Sequence, residues 1–345
     1  MKKKKLYRAS VLFTLPFVLL LLVLVFTHCS RSDEGEMSDL RAQALEAFSP
    51  LPEDAFLEGM NRSDEIIELG KMLFFEPRLS RSGLISCASC HDFSLFGTDQ
   101  SPVSIGHMWR EGAVNAPTVL NAAFHRRQFW DGRAATVESQ ALMPILEEVE
   151  MASSEERVVE VLSSIPEYVE RFQRAFPDQD EPLVYDNVGE AIGAFERILI
   201  TPSRFDHFLK GDEDALSEEE KEGLKVFMDV GCITCHDGVV LGGQIFAYFQ
   251  TPAERAAGEA HPGRFGVTNR QADKHFFKVP SLLNVEMTYP YLHDGSIWSL
   301  SETVDLVSRE MLSEELTPEQ NALILAFLRS LTGEIPAYAL KKPIL

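Results

Sequence analysis

Cysteine is scarce in this chain, with five among 345 residues. Four of the five fall in two C-x-x-C pairs, so no cysteines remain for a disulfide framework. Positive charge is also in short supply. Lys and Arg number 32 against 53 Asp and Glu, for a net charge of −21. Residues 1–28 hold five basic residues and no acid, so the rest of the chain is more acidic still. A chain this poor in basic residues has no surface to neutralise phosphates, which excludes nucleic acid as a partner. Strand-like alternation is rare. Long apolar runs are absent apart from Val11–Thr27.

That one run organises the N-terminus. Four lysines precede it and Cys29 follows. Lysines ahead of an apolar run keep the N-terminus inside and send the remainder outward. The run has 17 residues, long for a signal core and short for a membrane span. Residues 1–29 therefore read as a signal or lipid-anchor segment. A lipidated Cys29, an uncleaved anchor and a cleaved signal are all compatible with it, although His28 stands where lipoprotein cleavage prefers a small residue. Residues 30–55 are polar and acidic and are expected to be a tether. The predicted location is the periplasmic side of the cell envelope, with the membrane engaged through the N-terminal anchor.

The body is predicted to be mainly α. Apolar residues recur with helical period from Asp64 to Phe75, at Ile66, Ile67, Leu69, Leu73 and Phe74. Ser217 with Glu220, Ser299 with Glu302, and Thr317 with Gln320 are capping boxes that open three further helices. Pro318 suits the first helical position, and Gly231 suits a helix end. A helix followed by a glycine and then C-x-x-C-H occurs twice, through Gly83 and through Gly231. This coarse repeat predicts two cytochrome c-like haem domains packed against each other, 56–203 and 204–345, joined near Thr201-Pro202-Ser203.

The repeated motifs are Cys87-Ala88-Ser89-Cys90-His91 and Cys232-Ile233-Thr234-Cys235-His236. In C-x-x-C-H the thiols add to the haem vinyl groups and the histidine takes one axial iron position. A four-cysteine zinc site has no need of a histidine after both pairs, and a thioredoxin-like pair belongs in a βαβ context that is missing here. Two covalently bound haem c groups are the expected cofactors. The sixth ligand decides reactivity, and candidates are His107, His125, His207, His261, His275, His293 and the methionines. Any one of these alone is more often a surface or packing residue.

Further stretches carry a family likeness: Leu69–Ser80 (LGKMLFFEPRLS), Asn115–Phe124 (NAPTVLNAAF), Phe129–Ala134 (FWDGRA), Phe205–Gly211 (FDHFLKG), Phe277–Ser281 (FKVPS) and His293-Asp294-Gly295. Together with the two motifs, their order and spacing from about residue 60 to 335 resemble the bacterial di-haem cytochrome c peroxidases. The resemblance implies that the N-terminal haem is the peroxidatic site and that the C-terminal haem passes it electrons. It places His107 on a loop histidine that caps the peroxidatic iron and leaves on activation, and Glu150 on the acid beside peroxide. Gln140 falls on a second polar pocket residue and Trp130 on an indole between the haems. Asn115, Thr288 and Pro290 fall on an inter-haem Ca2+ site, for which neutral oxygen ligands are chemically suited.

One position departs from the pattern. The family's methionine ligand to the C-terminal haem falls on Val307, which cannot bind iron, and Met311 lies one helical turn further on. Related quinone-forming di-haem enzymes carry a tyrosine there, which valine does not match either. The implied function is reduction of hydrogen peroxide to water with electrons from a small periplasmic redox protein, a cytochrome c or a cupredoxin. Family members are often homodimers. Two alternatives stay open: a di-haem oxidase of another substrate through high-valent iron, and a non-enzymatic electron carrier or peroxide sensor.

Overall fold

The computed structural model describes residues 39–258 and 261–344. The expected signal or anchor segment, Cys29 included, lies outside the described residues. Residues 39–46 are helical and belong to a unit of their own, while Ala47–Leu345 make up a second compact unit. Among the described residues no helix is long and apolar enough to cross a membrane.

The larger unit is mainly α, as expected. The helix predicted from Asp64 runs Asp64–Phe74, with Ser63 accepting the Ile66 N–H and Phe75 as C-cap. It packs against Tyr185–Glu196, which also takes Val137–Leu146. The approach is close because residue 70 is glycine: a Cβ there would lie 1.7 Å from the Ala191 carbonyl oxygen. Later in the chain Glu218–Asp229 packs against Pro318–Ser330. Gly223 does the same work there, since its Cβ would lie 2.1 Å from Leu323 O. The boxes predicted at Ser217–Glu220 and Thr317–Gln320 are reciprocal caps, and Ser299 Oγ accepts the Glu302 N–H. Gly231 follows the Val230 C-cap with φ +92°.

Two expectations need correction. Residues 48–55 are not a tether: Phe48, Leu51 and Ala55 are buried, and the Leu51 N–H donates to Asp206 Oδ1 at 2.8 Å. Phe48 meets Phe205 edge-on at 5.3 Å, so apolar side chains spaced through an otherwise polar stretch draw it into the body. The chain's end also crosses back. Ala339 joins the core built from residues 66–199, and Lys71 Nζ donates to Tyr338 O at 2.7 Å. A short antiparallel pair, Phe246–Tyr248 with Phe276–Lys278, was not foreseen.

The predicted junction is a buried polar knot. Thr201 Oγ1 accepts from Asn121 Nδ2 at 2.7 Å and from Asn284 Nδ2 at 2.9 Å. These asparagines occupy matching places, each left-handed (φ 59° and 61°) and each opening a 3-10 turn. The match continues beyond them. Phe129 and Leu292 have φ 67° and 71°, and bridges close Gln128 on Ala134 and Tyr291 on Ile297. The Asn115 N–H donates to His293 O at 2.8 Å, and the Lys278 N–H donates to Trp130 O at 2.7 Å. One loop skeleton is thus built twice, and the two copies clasp each other.

Candidate functional sites at the two C-x-x-C-H motifs

Cys87–Cys90 forms a single helical turn, and Cys232–Thr234 forms a 3-10 turn. In both, the histidine N–H returns to the first cysteine carbonyl at 3.0 Å, which swings the imidazole back beneath the pair. His91 Nδ1 then meets Gly97 O at 3.1 Å, and His236 Nδ1 meets Leu241 O at 3.0 Å. Bonding Nδ1–H to a carbonyl fixes the tautomer and leaves Nε2 as a lone-pair donor for a metal. Burial lowers the pKa of both histidines, which favours that neutral form.

Burial acts on the cysteines in the opposite sense. It pushes Cys87 up to about 12, and Cys90 and Cys232 up to about 11. A dithiol redox pair needs a depressed thiol, so the motifs are poor redox cysteines. They fit covalent haem attachment with the following histidine on iron.

The second motif opens into a cavity of about 260 Å³ whose walls are largely apolar. Cys232, Cys235 and His236 line it together with Trp130, Val307 and Met311. The helix Leu300–Val307 gives way directly to a π-turn, Ser308–Leu312, closed by Ser313 in the left-handed region. Such wider turns inside helices concentrate at functional sites. Arg255 ties the turn down through Glu310 at 2.9 Å. Val307 and Met311 therefore share one cavity with His236.

Asn115, Thr288 and Pro290 line the same cavity. Asn115 Nδ2 donates to Ser101 O at 2.9 Å, which turns its amide oxygen away from that carbonyl. Among the described residues no group of three His, Cys, Asp or Glu could hold a metal ion. A cation there would rest on neutral oxygens. Trp130 Nε1 donates to Asn115 O at 2.9 Å, and its ring meets His293 edge-on at 6.3 Å.

At the first motif the decisive element is the loop 104–112. Gly106 is pressed against Val149, where a Cβ would lie 2.0 Å from the carbonyl oxygen. The His107 N–H donates to Glu150 O at 2.7 Å. Met108 and Trp109 follow with positive φ and are 72 % and 88 % exposed. Non-glycine residues pay a strain penalty in that region. His107 Nδ1 is buried with no hydrogen-bond partner, an orphan that suits a ligand-binding nitrogen. Burial raises the Glu150 pKa, Arg133 opposes it and Glu147 adds to it. The Glu150 charge acts on both Cys87 and Cys90, which puts this carboxyl near the first motif. Gln140 is half-buried on the helix Val137–Leu146.

Of the other histidines proposed for iron, His207 is exposed, and His275 and His261 bond to each other's segment, with His275 Nδ1 at 3.0 Å from His261 O. His293 Nε2 is engaged by Glu254 at 2.9 Å. Sequence reasoning missed Glu196. This residue is 3 % exposed, and burial pushes its carboxyl up to about 8. Aligning the repeated helices (Ala194-Phe195-Glu196-Arg197 with Ala326-Phe327-Leu328-Arg329) would have singled it out, because Leu328 lines the second cavity.

A mainly α fold carrying two half-buried C-x-x-C-H sites on a duplicated loop skeleton is that of a di-haem c-type cytochrome. The profile described as di-haem cytochrome c peroxidase matches residues 64–214. The chain is 45 % identical over 302 residues to the cytochrome c551 peroxidase of Pseudomonas aeruginosa, covering 86 % of this chain and 87 % of that protein. It is 35 % identical over 288 residues to the methylamine utilization protein MauG of Methylorubrum extorquens, covering 80 % of each. The crystal structure of a MauG-like protein associated with microbial copper homeostasis superposes with a TM-score of 0.76 at 28 % identity, covering 86 % of this chain and 97 % of that one. The chain belongs to the di-haem cytochrome c peroxidase family, whose members carry two c-type haems.

Proposed function

We propose that this protein is a peroxidase that reduces hydrogen peroxide to water with electrons from a small periplasmic redox protein, a cytochrome c or a cupredoxin. The observation that carries the reading is the loop holding His107 on Glu150, beside the Cys87–His91 motif. Two haems, one on Cys87, Cys90 and His91 and one on Cys232, Cys235 and His236, would supply the electron transfer and the iron at which the O–O bond is broken. The division 56–203 and 204–345 assigns one to each half.

His107 would help to hold the iron at the first motif in the resting state. Its loop stores backbone strain at Met108 and Trp109, so withdrawal relieves strain as it opens the site. Glu150 then moves a proton from the inner to the outer peroxide oxygen. Burial raises its pKa, which suits a group that must both hold and release a proton. Gln140 would orient peroxide as a second polar group of that pocket.

Trp130 lies in the clasp between the two loop copies, where an indole can ease electron passage. Met311 would be the sixth ligand of the second haem, and a calcium ion on Asn115, Thr288 and Pro290 would brace the clasp. The N-terminal segment would anchor the protein on the periplasmic side of the membrane. The cavity position taken by Val307 and Met311 offers no tyrosine, which favours peroxide reduction over a quinone-forming activity.

The test is turnover by the half-reduced protein with peroxide and a reduced c-type cytochrome. Glu150→Gln should lower kcat by roughly 10²–10⁴-fold. Absence of a high-spin haem in the half-reduced state, together with no donor oxidation, would reject the peroxidase reading.

A further inference from the structure

Two buried donors converge in the cavity of the second motif, and its lining offers them no acid among the described residues. Lys278 is 5 % exposed, and its Nζ lies 2.9 Å from His125 Nδ1. An ammonium has only protons to give, so Nζ donates and Nδ1 accepts. The imidazole proton then resides on Nε2, and Nε2 is buried without a partner. Neither group is free to swing away. A Cβ on Gly243 would lie 2.5 Å from His125 Cδ2, so the ring rests directly on that backbone. Lys278 closes the strand Phe276–Lys278, and its own N–H is bonded to Trp130 O at 2.7 Å.

The composition of the lining sharpens the point. His125 and Lys278 both line the cavity, and among the described residues that line it Lys278 is the one Lys or Arg and there is no Asp or Glu. Burial pushes the Lys278 amine down to about 7. A buried charge without a counter-ion is costly, so a site of this kind awaits an anion with two acceptor atoms. The matching position in the first loop copy is Asn115, which bonds to the Ser101 carbonyl and carries no charge. The cation is therefore a feature of the second copy, not of the skeleton.

We propose that Lys278 Nζ and His125 Nε2 bind a carboxylate, and that this carboxylate is a propionate of the haem attached through Cys232 and Cys235. The bound carboxylate keeps Lys278 protonated, and that positive charge favours the reduced state and raises that haem's reduction potential. Lys278 is thus a positioning and tuning residue for the haem that receives electrons. The inference rests on the assignment of the second C-x-x-C-H motif to haem.

That assignment is checked first and separately, by the pyridine haemochrome of the purified holoprotein, which should give two haems per chain. A structure of the holoprotein should then place a propionate oxygen within about 3.2 Å of Lys278 Nζ. Lys278→Gln should lower the potential of the C-terminal haem by roughly tenfold in its reduction equilibrium, about 59 mV for one electron. Lys278→Arg should restore most of that loss, which a merely structural lysine would not require.

Propionates placed out of hydrogen-bond reach of both donors would overturn the proposal. So would an unchanged potential in Lys278→Gln with both haems bound. Titrating the unmodified holoprotein with acetate separates the two sources of a carboxylate: an acetate-dependent shift in that haem's potential would show a free-anion site and reject the propionate. If Lys278→Gln fails to retain its haem, the holoprotein structure and the acetate titration still decide.

Discussion

The two halves of this molecule share a skeleton and differ in what the skeleton presents. Each has a glycine-mediated helix crossing, at Gly70 on Ala191 and at Gly223 on Leu323. In each a histidine is oriented by a carbonyl five or six residues on, and a left-handed asparagine opens a 3-10 turn. Yet Asn115 in the first copy corresponds to Lys278 in the second, Trp130 to His293 and Glu196 to Leu328. The first copy carries a strained loop ending on Glu150, while the second carries a π-turn that delivers Met311. Attachment of the cofactor is a property of the shared frame. On the proposed reading, reactivity is set by the few residues in which the two copies differ.

Removing each attachment separately gives the largest effect. Cys87→Ser with Cys90→Ser, and Cys232→Ser with Cys235→Ser, should each halve the haem content and reduce peroxide turnover to background. On the proposed division of labour only the second pair should leave a haem that still reacts with peroxide in a pre-reduced protein. Equal behaviour of the two variants in single-turnover mixing would erase the distinction between the halves.

An intermediate effect is expected at the π-turn. Met311→Ala should abolish the sulfur-to-iron charge-transfer band of the C-terminal haem and lower its potential, because a methionine ligand raises it. Adding Val307→Met to that variant should return a sulfur ligand from the preceding turn. A Met311→Ala spectrum identical to that of the unmodified protein would remove Met311 as ligand.

The smallest effect concerns Glu196, where the first half buries an acid and the second has Leu328. Its folded pKa, about 8, lies above the ordinary carboxylate value. The favourable contribution of the protonated acid is complete below about pH 4.5 and is lost as pH rises through about 8. Glu196→Gln should leave thermal stability at low pH nearly unchanged and raise it relative to the unmodified protein as pH climbs from about 4.5 to about 8, by at most about 1.4 kcal/mol per pH unit. Parallel stability profiles for the two proteins from pH 5 to pH 9 would show that Glu196 is not the titrating group.

Legibility followed the range of the interaction. The capped helices, Gly231 and the two C-x-x-C-H turns depend on residues within a few positions of one another, so the sequence alone determined them. The covalent chemistry of the motifs is local for the same reason. Family spacing pointed to His107 and Glu150, but their contact through a backbone hydrogen bond joins loops some forty residues apart. The burial of Phe48, Leu51 and Ala55 depends on Phe205 and Asp206, which no local pattern announces. Likewise, only the tertiary structure decided that Met311 and Val307 share one cavity with His236, and that Lys278 loses its water beside His125. Burial and ligation at these positions arise when distant segments meet. One chain order therefore supports two equal-looking motifs, and the packing around each makes them unequal.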